Sequence, residues 1–456
     1  MTSTKTVKKT RNDIDMTAGP LPGKILLFSM PLIFSNILQL LFNAADIVVV
    51  GRFAGETSLA AVGSTGSLTN LLVNIFIGMS VGTNVLTARA IGQKNARAIS
   101  DTVHTSVLFS ILCGVLLAII GFFVSKPALT LMETPPDVID KSVLYMRIYF
   151  LGMPMIMLYN FGYAIMRAQG DTRRPMIYLI IAGIVNVLLN LFFVIKLHMN
   201  VAGVAIATVT SQSISAILIL RCLSRLDNDC KFEFKKLRIK KNTLFKMMTI
   251  GIPAGIQGAV FSVSNMLIQS SINYFGSVAM AANTAANNIE GFVYTSTNAI
   301  SQTSLSFTSQ NLGAKKVDRI KRVFILCCMT VIILGLTLSS VTYLFGTKLL
   351  GIYSTSPEVI EYGLTRFSYI LLPYFLCGLM ESIVGSVRGL GASIAPTIIS
   401  LLGACAFRII WIYTVFEAHK NLEMLYISYP ISWLVTAFGQ FVLFLILYKK
   451  AKKLYQ

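Results

Sequence analysis

The sequence predicts an all-α polytopic membrane protein: twelve transmembrane helices in two six-helix bundles, related by a pseudo-two-fold axis along the membrane normal. Three observations carry that reading. Apolar runs of about 20 to 30 residues recur from end to end, each long enough to cross a hydrocarbon core of about 30 Å. The 456 residues are 55% hydrophobic and only 13% charged, with a mean hydropathy of +0.71, a balance foreign to soluble chains. The second half also repeats the first in register.

In order, the runs fall at 24–50, 59–87, 101–125, 140–165, 175–196, 201–222, 244–273, 279–309, 320–346, 361–386, 394–416 and 424–448. A basic segment, 1–23, precedes the first, and the first run is too long to be the core of a cleaved signal. A polar linker, 223–243, follows the sixth, and a basic tail, 449–456, follows the last. The N-terminal lobe is therefore 24–222 and the C-terminal lobe 244–448. With the N-terminus cytoplasmic, thirty Lys and Arg face inward and six outward, namely Arg52, Lys126, Lys196, Lys348, Arg366 and Lys420. Both termini are predicted to be cytoplasmic. The formal charge of +20 is thus a matter of topology, and nucleic acid is not an expected partner. The linker reads either as a solvated strap on an anionic leaflet or as a small lipid-binding or regulatory element. The seven Cys lie mostly within apolar runs, without a C-x-x-C pair, and read as packing residues.

A constant offset of 221 places Gly55 on Gly276, Thr87 on Thr308, Lys94 on Lys315 and Pro136 on Pro357. It also places Arg167, Gly170 and Pro175 on Arg388, Gly391 and Pro396. Pro31 and Pro253 agree after a one-residue shift. Each copy holds six spans, so both start on the same side of the membrane and the repeats are parallel.

Span one carries Asn36, Gln39, Asn43 and Asp46 at helical spacing, on one face. A carboxylate at membrane depth costs about 3 kcal/mol, so it is kept for a partner or a task. The stripe is either interhelical glue or the wall of a water-accessible cavity with Asp46 as its titratable or ion-binding group. The second reading is preferred. The repeat sharpens it: Asp46 corresponds to Leu267, Glu290 to Thr69 and Glu381 to Asn160. The duplication does not require these three acids. Span eight adds Asn283, Asn287, Glu290 and Tyr294, span seven Gln257, Asn265 and Gln269, and span five Asn186 and Asn190 one turn apart. The expected result is a cavity between two lobes, lined by amides and hydroxyls with sparse negative charge. It suits organic cations, protons or Na⁺. Arg408, deep in span eleven, is expected to pair with Glu381 or Glu290, or else to reach helix-end carbonyls.

Chemistry on a substrate is not expected. The three His (104, 198, 419) lie near span ends, and no H-E-x-x-H, G-x-S-x-G or P-loop spacing is present. The chain reads as no enzyme, with no ATP, metal or cofactor requirement.

Asp46 followed by V-G-R-F-A-G (50–55), A-A-V-G (60–63), A-R-A-I-G (88–92), R-A-Q-G-D-T-R-R-P (167–175), N-V-L-L-N (186–190) and V-A-G-V-A-I-A-T-V-T-S-Q (201–212) occur in that order. Together they resemble the multidrug and toxic compound extrusion (MATE) family of the multidrug/oligosaccharidyl-lipid/polysaccharide exporter superfamily. The resemblance runs from about Met16 to Lys450. It implies a bacterial plasma-membrane antiporter in which a Na⁺ or proton gradient drives the export of organic cations; a monomer is expected. It further implies a coupling-cation site at Asp46, Asn186, Asn190 and Thr208. Asn190 stands where the family often has Asp, so Asp46 is left as that site's one titratable member. Other branches couple through the C-terminal lobe, where Glu290 or Glu381 could serve. The rival reading is a flippase or exporter of a lipid-linked saccharide or another native metabolite.

Overall fold

The computed structural model describes residues 13–455, excepting the side chains at 67, 68 and 70–72. The basic Lys5, Lys8, Lys9 and Arg11 of the predicted N-terminal segment lie outside the described residues. The chain forms α1 (Leu21–Phe53), α2 (Glu56–Gly92), α3 (Ala96–Leu131), α4 (Pro136–Leu151), α5 (Met153–Gln169), α6 (Arg173–Leu191), α7 (Asn200–Ser224), α8 (Lys241–Asn273), α9 (Gly276–Gly313) and α10 (Val317–Leu344). Then follow α11 (Gly346–Gly351), α12 (Pro357–Arg366), α13 (Tyr374–Gly389), α14 (Ile394–Ser400), α15 (Phe407–Trp411), α16 (Glu417–His419), α17 (Leu422–Tyr426) and α18 (Ser428–Tyr455).

Ten helical runs among the described residues are long and apolar enough to span a membrane, and α4–α5, bent by 48°, makes an eleventh. The one predicted run left over, the eighth (279–309), is α9. At 38 residues it is long enough, yet its Asn, Ser and Thr keep it outside that apolar set. Its second half is nevertheless buried. The polarity is consumed in packing: Ser304 and Ser386 share a hydrogen bond of 2.5 Å, and Ser301 donates to the Glu381 carbonyl at 2.7 Å. A Cβ at Gly385 would stand 2.4 Å from the Ser301 carbonyl oxygen, so glycine is what lets α13 lie this close to α9.

Two compact units result. One holds residues 34–255 with 13–15, the other Met16–Ile33 and residues 256–456. Both α1 and α8 change unit just beyond an internal proline, Pro31 and Pro253, where a ladder hydrogen bond is missing. The backbone reproduces the repeat. Left-handed residues recur in register at Gly55 and Gly276 (φ 83° and 87°), Lys94 and Lys315 (55° and 57°) and Gly170 and Gly391 (102° and 95°). π-helical turns recur one residue out of that register, at Phe192–Lys196 and Ile412–Phe416.

The linker belongs to the first unit, because it is folded onto α3 and is not a solvated tether. Phe232 and Cys230 are buried. Phe232 stacks on His104 at 5.5 Å, whose Nε2 accepts from the Glu233 amide at 3.0 Å while its Nδ1 donates to the Ser100 carbonyl at 2.7 Å. Arg238 pairs with Asp101 at 3.0 Å. Phe232→Ala should release this strap. Limited trypsin digestion should then cut among Lys231, Lys235, Lys236 and Arg238 about tenfold faster, as for a local opening eased by about 1.4 kcal/mol. Unchanged cleavage would mean the strap is held without the ring.

Candidate functional site

The first unit brings α1, α6 and α7 together around Asp46. A Cβ at Gly183 would stand 1.9 Å from the Phe42 ring, so glycine there lets α1 press on α6 one turn before Asp46. Val49, Val50, Val194 and Val204 pack beyond the carboxylate, with Tyr145 against them. Asp46 Oδ1 accepts from Asn190 Nδ2, and Oδ2 accepts from Thr208 Oγ1 at 3.3 Å. Asn190 Nδ2 also lies 3.4 Å from Asn186 Oδ1. Asn190 is fully buried, and its Oδ1 has no hydrogen-bond partner among the described residues. Directly after it, α6 passes into the π-helical turn at Phe192–Lys196, a distortion common at functional sites.

Asp46 is half-buried and, among the described residues, forms no ion pair. Its charge is met by neutral dipoles alone. Two carboxylate oxygens, the Asn186 and Asn190 amide oxygens and the Thr208 hydroxyl are the donors a hard cation takes. A proton on Asp46 would use the same amide oxygen once the Asn190 side chain turns over. Of the remaining stripe on α1, Gln39 and Asn43 are exposed and Asn36 is half-buried.

The second unit handles its acid differently. Arg366 Nε and Nη2 donate to the two Glu290 oxygens at 2.9 and 2.7 Å, a bidentate pair with both side chains almost fully buried. Arg366 Nη1 donates to Asn283, which in turn donates to Gln269 at 2.6 Å. Arg366, read from the sequence as an outward-facing charge, is instead buried against Glu290. It lies five residues inside the predicted tenth run and matches Tyr145 in the repeat, and these two signals place it within the membrane. Arg408 pairs with neither Glu290 nor Glu381. It stacks over Tyr429 at 4.1 Å and near Trp433 at 5.7 Å, and its Nε donates to Ser432 at 2.8 Å. Glu381 is half-buried, while Gln257 accepts from Arg388 at 2.8 Å. Asn160 bonds back to the Ile156 carbonyl of its own helix. Asn287 and Tyr294 are exposed.

A two-repeat helical membrane protein whose Asp46, inside a span, forms no ion pair among the described residues has the build of a secondary transporter. The MatE family model matches twice, over residues 31–192 and 253–414. The chain belongs to the MatE family, whose members are multi-pass membrane transporters and not enzymes. It is 29% identical over 419 residues to the probable multidrug resistance protein YoeA of Bacillus subtilis (strain 168), covering 90% of each chain. It is 24% identical over 365 residues to an FAD transporter of Shewanella oneidensis, covering 78% of this chain and 79% of that one. The fold matches a MOP superfamily transporter from Pyrococcus furiosus with a TM-score of 0.90, at 20% identity over 98% of this chain and 100% of the other.

Breaking the buried pair from one side leaves a bare charge, which costs about 3–5 kcal/mol, whereas removing both partners costs much less. Glu290→Gln and Arg366→Met should each lower the unfolding temperature in detergent, and the double variant should recover most of the loss. Additive losses would show that the two side chains act separately.

Proposed function

We propose that this protein is a secondary antiporter of the bacterial plasma membrane, with both termini cytoplasmic. It exports organic cations and drug-like molecules by alternating access in exchange for Na⁺ or H⁺ taken up at Asp46. One observation supports this above others. Asp46 meets only amides and a hydroxyl, while Glu290 is already neutralised by Arg366. At Glu290 a tethered guanidinium fills the place an exchangeable cation would need, which favours Asp46 over that acid. Membership in the MatE family and the similarity to a multidrug resistance protein support the export of small molecules.

The cycle follows from linkage. An inbound cation at Asp46 draws in the Asn190 and Asn186 amide oxygens and repacks α1, which has a place to bend at Pro31. Bound cation and bound drug must each favour a different state, or no exchange results. A proton-driven cycle needs Asp46 to titrate in each turnover. A Na⁺-driven one keeps it ionised, with the neutral oxygens completing the shell.

The test is ethidium efflux from proteoliposomes under separately imposed Na⁺ and pH gradients. Wild type should extrude dye on one of the two gradients. Asp46→Asn should lose at least about tenfold of the driven rate, equivalent to about 1.4 kcal/mol. The double variant Glu290→Gln with Arg366→Met should keep it. If the double variant abolishes coupling and Asp46→Asn does not, coupling belongs to the second unit.

A further inference from the structure

Arg408 is a membrane-embedded guanidinium, 4% exposed, with no carboxylate to balance it among the described residues. A charge held at that depth is ordinarily paired. Here one edge is occupied, Nε by Ser432. Nη1 and Nη2 make no hydrogen bond with the described residues, yet they are not sealed away from solvent. The plane is fixed by the rings of Tyr429 and Trp433, and Tyr374 lies 5.2 Å beyond Trp433. Arg366 reaches the same Tyr429 ring at 5.9 Å, but Glu290 consumes its charge. The cluster therefore carries one net positive charge. It presents two parallel donors beside an aromatic wall, the fork that matches a carboxylate or phosphate oxygen pair.

The helix is built irregularly around this residue. α15 is five residues long and lies between π-helical turns at Leu401–Ala406 and Ile412–Phe416. Such distortions inside spans concentrate at functional sites. In the repeat register the counterpart of Arg408 is Val187, so the duplicated fold does not need a cation here.

We propose that Arg408, with Tyr429 and Trp433, is an anion subsite of the second unit that receives the carboxylate or phosphate of a planar, aromatic transported molecule. The substrate class then includes zwitterions and aromatic anions besides simple cations. This rests on the export reading above and extends it.

A matched probe pair separates the two ideas: a rhodamine with a free carboxylate, and its methyl ester, which is a plain cation. Binding to the purified protein is read by fluorescence anisotropy in phosphatidylcholine nanodiscs, and efflux of both dyes and of ethidium in proteoliposomes. Arg408→Gln should weaken the carboxylate dye about tenfold and leave the ester within about twofold. Arg408→Lys should recover part of the loss, because the charge returns without the fork. Ser432→Ala, a mild change that keeps the packing, should weaken the carboxylate dye by about threefold and keeps the question open to test if the Gln variant does not fold. Equal effects on both dyes, or none, overturn the proposal. Displacement of the dye by phosphatidylglycerol in the nanodisc, with no carboxylate-dye efflux, assigns the anion to a lipid headgroup and overturns the substrate reading. Ethidium export without any Arg408-dependent carboxylate binding sinks the subsite and spares the antiporter. Carboxylate binding that depends on Arg408 without ethidium export does the reverse.

Discussion

An acid inside a membrane has to be compensated, and the two repeats of this chain compensate theirs in opposite ways. Asp46 is held by an amide and a hydroxyl. Glu290 is held by a guanidinium that grips both of its oxygens. The distinction is energetic before it is functional. Neutral dipoles lower the cost of the charge but leave it unbalanced, so a mobile cation gains by arriving. A buried bidentate Arg–Glu pair is already closed, and opening it exposes two charges at once. On the reading proposed above, Asp46 is free to take a mobile counter-ion, whereas Glu290 already holds a tethered one.

Much of this was legible in the residues. Run length and mean hydropathy set the class, and the rare prolines and glycines at a fixed offset revealed the duplication. That signal is strong because those residues are required by backbone geometry, as the paired left-handed φ values at Gly55 and Gly276 and at Gly170 and Gly391 show. Asp46 stood out because nothing in its copy, Leu267, explains it. What hydropathy does not encode is who meets whom. It registers Arg366 as a charge near a span end, not as the partner of Glu290. It counts Ser301 and Ser304 of α9 only as polar, when both are spent on α13. It reads the linker as polar, although Cys230 and Phe232 are buried and Phe232 stacks on His104 of α3.

The repeat register also explains why the units are not interchangeable. Carried past Pro396 it still aligns Ser211 with Ser432 and Ala216 with Ala437. It then places Leu267, Phe407, Trp411 and Tyr429 where the first unit has Asp46, Asn186, Asn190 and Thr208, and Arg366 where it has Tyr145. Each of the four side chains of the proposed cation site has a hydrocarbon or a ring as its counterpart, and the neighbouring ring has a cation as its own. A duplicated scaffold that kept both copies alike would hold two equal cation sites and gain no direction from them. Here one copy keeps the oxygens and the other the aromatic faces, which hold guanidinium groups in place without neutralising them. The position that lends a hydroxyl to Asp46 in one unit lends a ring to Arg408 in the other, which is the contrast on which the proposed cation site and the proposed anion subsite both rest.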